Sequence, residues 1–550
     1  MLRIVGGRVY DPANGVDGEV RDVCLSDGKV VADVPAAARR IDAGGMVVMP
    51  GGVDIHAHIA GPKVNAARRL SVEEHRDDPV AATALRRGGT GGTVPSTFVT
   101  GYRYALLGYT TVVEAAAPPL FARHILAELR DTPVIDAALL VLMGNNLPLF
   151  ELIRTGRGDA GAARLRDAVA WYLEATGGYG VKLVNAGGVE LWKQRDGNVV
   201  ALDQELGGLG VTPRQVVEQL VTAVHDLGLP HPAHVHCHNL GVAGNWRTTL
   251  DTLDTLEGRR AHLAHIQFHA YGGRPGGRPR SKAPEIAEYL NRHPEFSADV
   301  GQVMFGPATT MTADAPVSAI LRDLTRGKWV NSDVEAETGC GIVPFTYEPR
   351  NYVHALQWAI GLELFLLAAD PWRLVLSTDH PNGGSFLSYP KLIRLLMDRE
   401  FRNEQVRLAN SRAIRRTTLL DDLEREYTLS EIAIITRAGP ARLLGLDDKG
   451  QLGVGADADV TIYDERPDRE AMFSHPRYVI KGGQVVVEDG ELRAAPPGHL
   501  LRVRAGHDEA VADALRPIFG ERYSVQFDSY PVSEPWLLEP ARRIEAGGRR

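Results

Sequence analysis

Cysteine is nearly missing from this chain: of 550 residues only Cys24, Cys237 and Cys340 carry a thiol. Three cysteines so widely spaced give no disulfide framework and no Cys-x-x-Cys site, which fits a reducing compartment. No run of about 18 apolar residues occurs, so no membrane-spanning helix is expected. The first residues, Met1-Leu2-Arg3-Ile4-Val5-Gly6-Gly7, lack the apolar core of a signal peptide. A cytoplasmic protein is the expectation. A basic excess is absent too; the net charge of -8 gives no support to nucleic-acid binding. Internal repeats and low-complexity segments are not found, so no repeat architecture is expected. What is present is ordinary for a globular enzyme, with 44% apolar and 24% charged residues. The length allows a large core and more than one domain.

The informative stretch is Val47-Val48-Met49-Pro50-Gly51-Gly52-Val53-Asp54-Ile55-His56-Ala57-His58. It reads as a buried strand ending in His-x-His. Side chains alternate along a strand, so His56 and His58 face one way, with Asp54 in phase. Two imidazoles at a strand's C-terminal end supply half of a metal site. Further apolar strand candidates alternate with helical stretches: Thr110 to Glu114, Val134 to Met143, Gly180 to Val184, Ala233 to His238, His262 to Gln267, Phe296 to Phe305 and Arg373 to Asp379. With the His56 strand they make eight. Eight such units predict an α/β fold, a (β/α)8 TIM-like barrel with its active site at the strands' C-terminal ends. His56, His58, Lys182, His236, His265 and Asp379 all fall there.

Short strands with turns at residues 1–45 return in style at residues 440–495, in the Val460 strand and the Tyr478–Val487 hairpin. A small β-sandwich domain built from both chain ends is expected around a barrel at 46–439. Two connections, 59–107 and 306–372, exceed ordinary loops and are read as insertions shaping a pocket or a partner surface. Residues 496–550 form a C-terminal extension, for which partner docking and simple packing both stand.

A hydrolytic metal centre needs neutral imidazoles, an oxygen ligand and an open position for water. Strand five, Ala233-His234-Val235-His236-Cys237-His238, puts three histidines on one face. His236 is the first choice by position, His238 and the deeper His234 are alternates, and at least one of the three only packs. On strand six His265 lies nearest the end, whereas His262 faces the other way. His269 either lines the pocket or sits on the surface. A bare Lys182 ammonium would repel two zinc ions; its carbamate would bridge them. Asp379 suits ion binding, water orientation and proton carriage, or else caps the Pro-Asn-Gly-Gly turn that follows. His380 and Asn382 are candidate substrate contacts.

This set of strand-end residues resembles the amidohydrolase superfamily. A closer resemblance covers most of the barrel. Gly61-Pro62-Lys63-Val64-Asn65, His265-Ile266-Gln267-Phe268-His269, Gly301-Gln302-Val303-Met304-Phe305-Gly306, Glu337-Thr338-Gly339-Cys340-Gly341-Ile342-Val343-Pro344 and Thr378-Asp379-His380-Pro381-Asn382-Gly383-Gly384 are similar to the A-type subunit of formylmethanofuran dehydrogenase. The resemblance implies a dinuclear zinc centre acting on the N-formyl group of a methanofuran-type C1 carrier. It also implies partner subunits, as in the formyltransferase/hydrolase complex of methylotrophic bacteria. There the carrier is hydrolysed to formate; in the methanogenic complex the reverse condensation occurs. His238 departs from the amide residue expected there. Two other readings stand beside this one: a free-standing cyclic amidase of the dihydroorotase or hydantoinase kind, and a non-catalytic scaffold.

One loop adds a question. Gly272-Gly273-Arg274-Pro275-Gly276-Gly277-Arg278-Pro279-Arg280-Ser281-Lys282 carries four cations as it leaves the catalytic face. It is either a solvated loop or a guide for the acidic tail that the resembling family's carriers bear.

Overall fold

The computed structural model of the chain describes residues 1–193, 199–312, 314–328, 330–332, 340–537 and 541–547. The apolar run before His-x-His is two strands, not one. Met46–Pro50 belongs to a sheet made from the chain ends, and Gly52–Ala57 opens the barrel. Gly51 permits the passage between them. A Cβ there would lie 2.4 Å from Thr110 Oγ1 and 3.1 Å from Asp459 Cβ, room only for a residue without a side chain.

Eight parallel strands form the barrel sheet: β1 (Gly52–Ala57), β2 (Tyr109–Ala117), β3 (Asp136–Leu142), β4 (Gly180–Val184), β5 (Ala233–His236), β6 (Ala261–Leu263), β7 (Phe296–Asp299) and β8 (Leu374–Val375). The first and last meet where Ala57 bridges His380 and the His58 N–H donates to the His380 carbonyl at 2.7 Å. Helices on the outside make the strands near-continuous apolar runs.

Three strands end four or more residues earlier than their apolar runs predict. β6 stops at Leu263, β7 at Asp299 and β8 at Val375. Beyond two of these ends the backbone enters the left-handed region, with φ of 32° at His265 and 50° at Asp379. Non-glycine residues adopt that region at a cost, and such strain gathers at functional sites.

β1 carries a bulge. Asp54 pairs with Val112 and Ala57 with Glu114, so β1 has one residue more than its partner between those points. The extra residue shifts the phase of the side chains. Val53 and Ile55 join Val113, Leu140 and Val375 in an apolar cluster across the barrel. Asp54 turns away and accepts hydrogen bonds from Tyr104 at 2.8 Å and Tyr389 at 2.5 Å. The expected in-phase Asp54 is thereby corrected.

The chain ends build a nine-stranded sheet, joined where Met46–Pro50 runs antiparallel to Val460–Asp464. Ile4, Val48, Val460 and Ile480 pack in its core. A buried ion network ties this sheet to β3: Lys481 reaches Asp136 at 2.6 Å and Asp459 at 2.8 Å, and Lys449 reaches Asp136 at 2.5 Å.

The C-terminal extension packs on the barrel. Its strand Leu500–Arg504 lies parallel to the first half of β3, at Ala137 and Ala138, while β4 takes the second half. Phe527 of the extension stacks on Trp171 with ring centroids 5.0 Å apart. The two insertions meet each other: Val64, Ala67 and Val94 of the first cluster with Met311 and Ile342 of the second. Among the described residues no helix is long and apolar enough to cross a membrane.

Candidate metal centre

At the C-terminal mouth, His56 and His58 stand edge to face with ring centroids 5.6 Å apart. Both bring Nε2 close to Asp379 Oδ1, His56 at 3.1 Å and His58 at 3.0 Å. A second group faces them, in which His236, His265 and His269 each offer a nitrogen within 4.8 Å of the others. His265 Nε2 lies 3.0 Å from His236 Nδ1. The Lys182 ammonium is buried and, among the described residues, has no hydrogen-bond partner. Burial pushes its pKa down, Asp299 and Asp379 oppose this in part, and the result is about 7.

Burial also holds His236, His265 and His269 well below the ordinary imidazole range, so they are neutral donors. Burial opposes charge on Asp379 as well, but His56 and His265 outweigh it and keep the carboxyl well below its usual range. Neutral imidazoles and an ionised carboxylate are the donor set of a divalent cation. Among the described residues His265 Nδ1 and both nitrogens of His269 are buried without a partner, an arrangement that a bound cation would relieve.

The alternates on β5 separate by depth. His234 lies under His56, with its Nε2 3.2 Å from His56 Nδ1. His238 donates from Nε2 to the Ala186 carbonyl at 2.8 Å and stands outside both groups. His262 does not face away from the barrel interior; its ring centroid is 4.6 Å from that of His234. The period-two rule misplaces it relative to His265, because β6 has ended before His265. His269 joins the imidazole group. His380 turns its ring to Phe386, 4.8 Å between centroids, and does not line the cavity described below. Asn382 donates to Asp379 Oδ1 at 2.9 Å and does line it.

Four buried residues escaped the sequence reading as site residues. Glu114 ends the predicted part of β2 and accepts from the Ile59 and Ala60 N–H groups at 2.7 and 3.0 Å. Burial disfavours its charge, but Lys63 and His58 outweigh this and hold it at about 2. Lys63 Nζ lies 3.1 Å from His58 Nδ1. Asp299, the last residue of β7, accepts from His56 Nδ1 at 2.8 Å and from the His265 N–H at 3.0 Å. Asp314 lies 3.2 Å from His236 Nε2. Polar residues closing apolar strands were the available signal for Glu114 and Asp299.

Asp379 and Asn382 form the floor of a cavity of about 720 Å3, walled by Phe268, Phe345, Tyr347 and Val317. Much of its wall comes from the insertion at 306–372. Of the segment Glu337 to Pro344, residues 337–339 lie outside the described residues. The loop after β6 forms a small hairpin, Tyr271–Gly272 against Arg280–Ser281, with Arg274, Arg278 and Arg280 exposed. Arg278 lies over the Tyr352 ring at 5.0 Å, next to the cavity residues Asn351 and Val353.

A parallel barrel with imidazoles, a lysine and an aspartate at its mouth defines a metal-dependent hydrolase of the amidohydrolase kind. The Amidohydrolase family model matches residues 39–487. Protein FwdA of Methanocaldococcus jannaschii is 44% identical over 555 residues, covering 97% of each chain. The A-type subunit of the formyltransferase/hydrolase complex Fhc of Methylorubrum extorquens is 42% identical over 560 residues, covering 99% of each. The crystal structure of the FhcABCD complex from that organism, with methylofuran bound, matches at a TM-score of 0.92 with 41% identity over 100% of both chains. A dihydroorotase from Anaeromyxobacter matches over only 67 residues, 11% of this chain. The chain belongs to the amidohydrolase family, in the branch that holds FwdA and its Fhc counterpart.

Proposed function

We propose that this chain hydrolyses the N-formyl group of formylmethanofuran or a methanofuran-like C1 carrier, releasing formate, as the hydrolytic subunit of a formyltransferase/hydrolase complex. One observation carries the reading: the likeness to the methylofuran-bound FhcABCD structure extends over both whole chains. The dihydroorotase likeness spans a small part of the chain, so a cyclic amidase is not favoured. A full donor set at the mouth argues against a scaffold.

His56, His58, His236, His265 and Asp379 would hold divalent metal, with zinc, as two ions, the cation proposed. Carbamylated Lys182 would bridge them; its depressed pKa supports the neutral amine that carbon dioxide requires. Bound metal supplies an acidified water and a polarised formyl oxygen. The residues supply the rest. Asp379 takes the proton of the attacking water at Oδ1, where Asn382 steadies it, and gives it to the departing amine. A primary amine leaves poorly until protonated, so this transfer governs C–N cleavage. Phe268, Phe345 and Tyr347 would pack on the carrier's ring and exclude bulk water. Reversal of the same steps condenses formate with the amine.

The test is anaerobic purification of the native complex, metal analysis, and formate release from the N-formylated furfurylamine carrier. Stoichiometric metal with formate release is the expected result. A metal-loaded complex that releases none overturns the reading.

A further inference from the structure

The helix Tyr352–Leu367 forms part of the cavity wall, and the proposed reaction uses no side chain from it. Its inner part is anchored at the level of the floor. The Trp358 carbonyl accepts from Gln302 Nε2 at 2.9 Å. Gly361 lies so close that a Cβ there would be 2.2 Å from Gln302 Oε1. Gln302 follows Gly301, where a Cβ would lie 3.5 Å from the Asp379 Cβ. His354 precedes Gly361 by about two helical turns, or about 10 Å along the axis. It lines the cavity out from the floor, half-buried, beside the exposed Asn351 and Val353.

The loop before the helix fixes this ring and places its hydrogen. The Glu348 backbone N–H donates to His354 Nδ1 at 2.9 Å. An N–H only donates, so Nδ1 carries no hydrogen. Burial holds the imidazole below its ordinary pKa, against a smaller opposing pull from Glu348. At pH 7 the ring is therefore neutral, with its one hydrogen on Nε2. Tyr347 stands edge to face against it with centroids 5.2 Å apart, and Phe345 lies at 6.1 Å. Among the described residues, Nε2 donates to no partner. Its polar neighbours are already engaged. Asn351 Oδ1 accepts from the Val353 and His354 N–H groups at 2.9 and 3.3 Å. The Tyr347 hydroxyl donates to the Asn382 carbonyl at 3.0 Å. A fixed, neutral N–H in an aromatic wall supplies one directed hydrogen bond to whatever fills the cavity.

We propose that His354 is a specificity residue for the carrier, donating from Nε2 to the first uncharged oxygen beyond the furan ring. This rests on reading the cavity as the carrier's site. With the formyl group at Asp379 and the furan ring among Phe268, Phe345 and Tyr347, His354 meets the part that follows the ring. Glu348 lines the cavity beside it and disfavours a carboxylate there, so an acidic tail has to run further out. A donor held for a substrate oxygen rejects analogues that lack it, because the donor is then left unpaired. The bond is remote from the one that breaks, so its loss raises KM and spares kcat.

The experiment measures formate release by the native complex carrying wild type, His354→Asn or His354→Gln. The substrates are the full N-formylated carrier and N-formylfurfurylamine, which ends at the ring. Asparagine puts its oxygen where Nδ1 was, so it keeps the bond from Glu348 and loses the donor. Glutamine puts its amide nitrogen where Nε2 was, so it keeps the donor and loses that bond. The expected result is a KM about three- to tenfold higher for His354→Asn on the full carrier, with kcat nearly constant. On N-formylfurfurylamine the same variant should match wild type, and His354→Gln should stay closer to wild type on both. Unchanged KM in His354→Asn, an equal loss on both substrates, or greater damage in His354→Gln overturns the proposal. Should the asparagine variant not fold, wild type decides with a carrier analogue bearing methylene in place of that oxygen. A raised KM supports the proposal, and an equal KM overturns it. A wild-type complex that releases formate from neither substrate overturns the reading of the reaction, and the inference with it.

Discussion

Gly301 lies against His265 so tightly that a Cβ built on it would sit 2.2 Å from the His265 Cβ. Its φ of 63° is also left-handed. Gly301→Ala would therefore combine about 1–3 kcal/mol of backbone strain with a steric push on the ring of His265. The expected outcome is a folded chain with lowered metal content and at least tenfold lower formate release. Normal metal content and activity would show that the loop behind His265 yields without consequence.

His56→Ala should remove bound metal and activity together, because His56 brings its Nε2 close to the same Asp379 oxygen as His58. Metal analysis and a formate assay on the same preparation check this. Full activity with normal metal would end the assignment.

Lys182 offers a pH test. Carbon dioxide reacts with the neutral amine, and burial pushes the ammonium down to about 7. Below that pH the neutral fraction falls about tenfold per unit; above it the fraction levels off. At fixed dissolved carbon dioxide and zinc, reactivation of metal-free chain should therefore slow steeply below pH 7 and plateau above about 8. In the metal-free, unmodified chain the same shift has a stability sign. The unfolded lysine, near 10.5, binds more protons than the folded one between about 7 and 10.5, so this group adds stability as pH rises through that window. Intact mass of the native chain should show one added carbon dioxide, and an unmodified mass with full activity would contradict the carbamate.

The exposed cations Arg274, Arg278 and Arg280 stand on the hairpin beside the cavity rim. If they draw in an anionic tail, neutralising all three should raise KM severalfold and flatten its salt dependence. The kcat should stay nearly constant, because the tail is remote from the bond that breaks. Unchanged KM and salt response would assign the hairpin to solvent.

Native purification should yield a hetero-oligomer. A lone chain, fully active on the carrier, would contradict the proposed assembly.

The barrel was legible because its strands are apolar runs closed by polar residues, and both the count and the phase can be read. His56, His236, His265 and Asp379 stand out for that reason. Two features hid the rest. Side-chain phase fails at the β1 bulge, which turns Asp54 outward, and beyond the short β6, where His265 no longer alternates with His262. Asp299 was concealed inside an apolar run that continues to Phe305, although the strand ends at Asp299 itself. Lys63 comes from an insertion whose path over the mouth no local pattern encodes. The register between Leu500–Arg504 and β3 is a long-range pairing for which the extension's composition gives no signal.

That last pairing bears on how the molecule is made. A ribosome delivers β3 early and its lower-edge partner, Leu500–Arg504, only after all eight barrel strands. Met46–Pro50 likewise waits for Val460–Asp464. While the rest of the barrel is being made it therefore presents unpaired backbone at its lower edge, the kind of edge that invites wrong partners. Premature stop codons after the last metal-donor residue should then be read in the cell as aggregation or chaperone retention, even though every donor has already been translated.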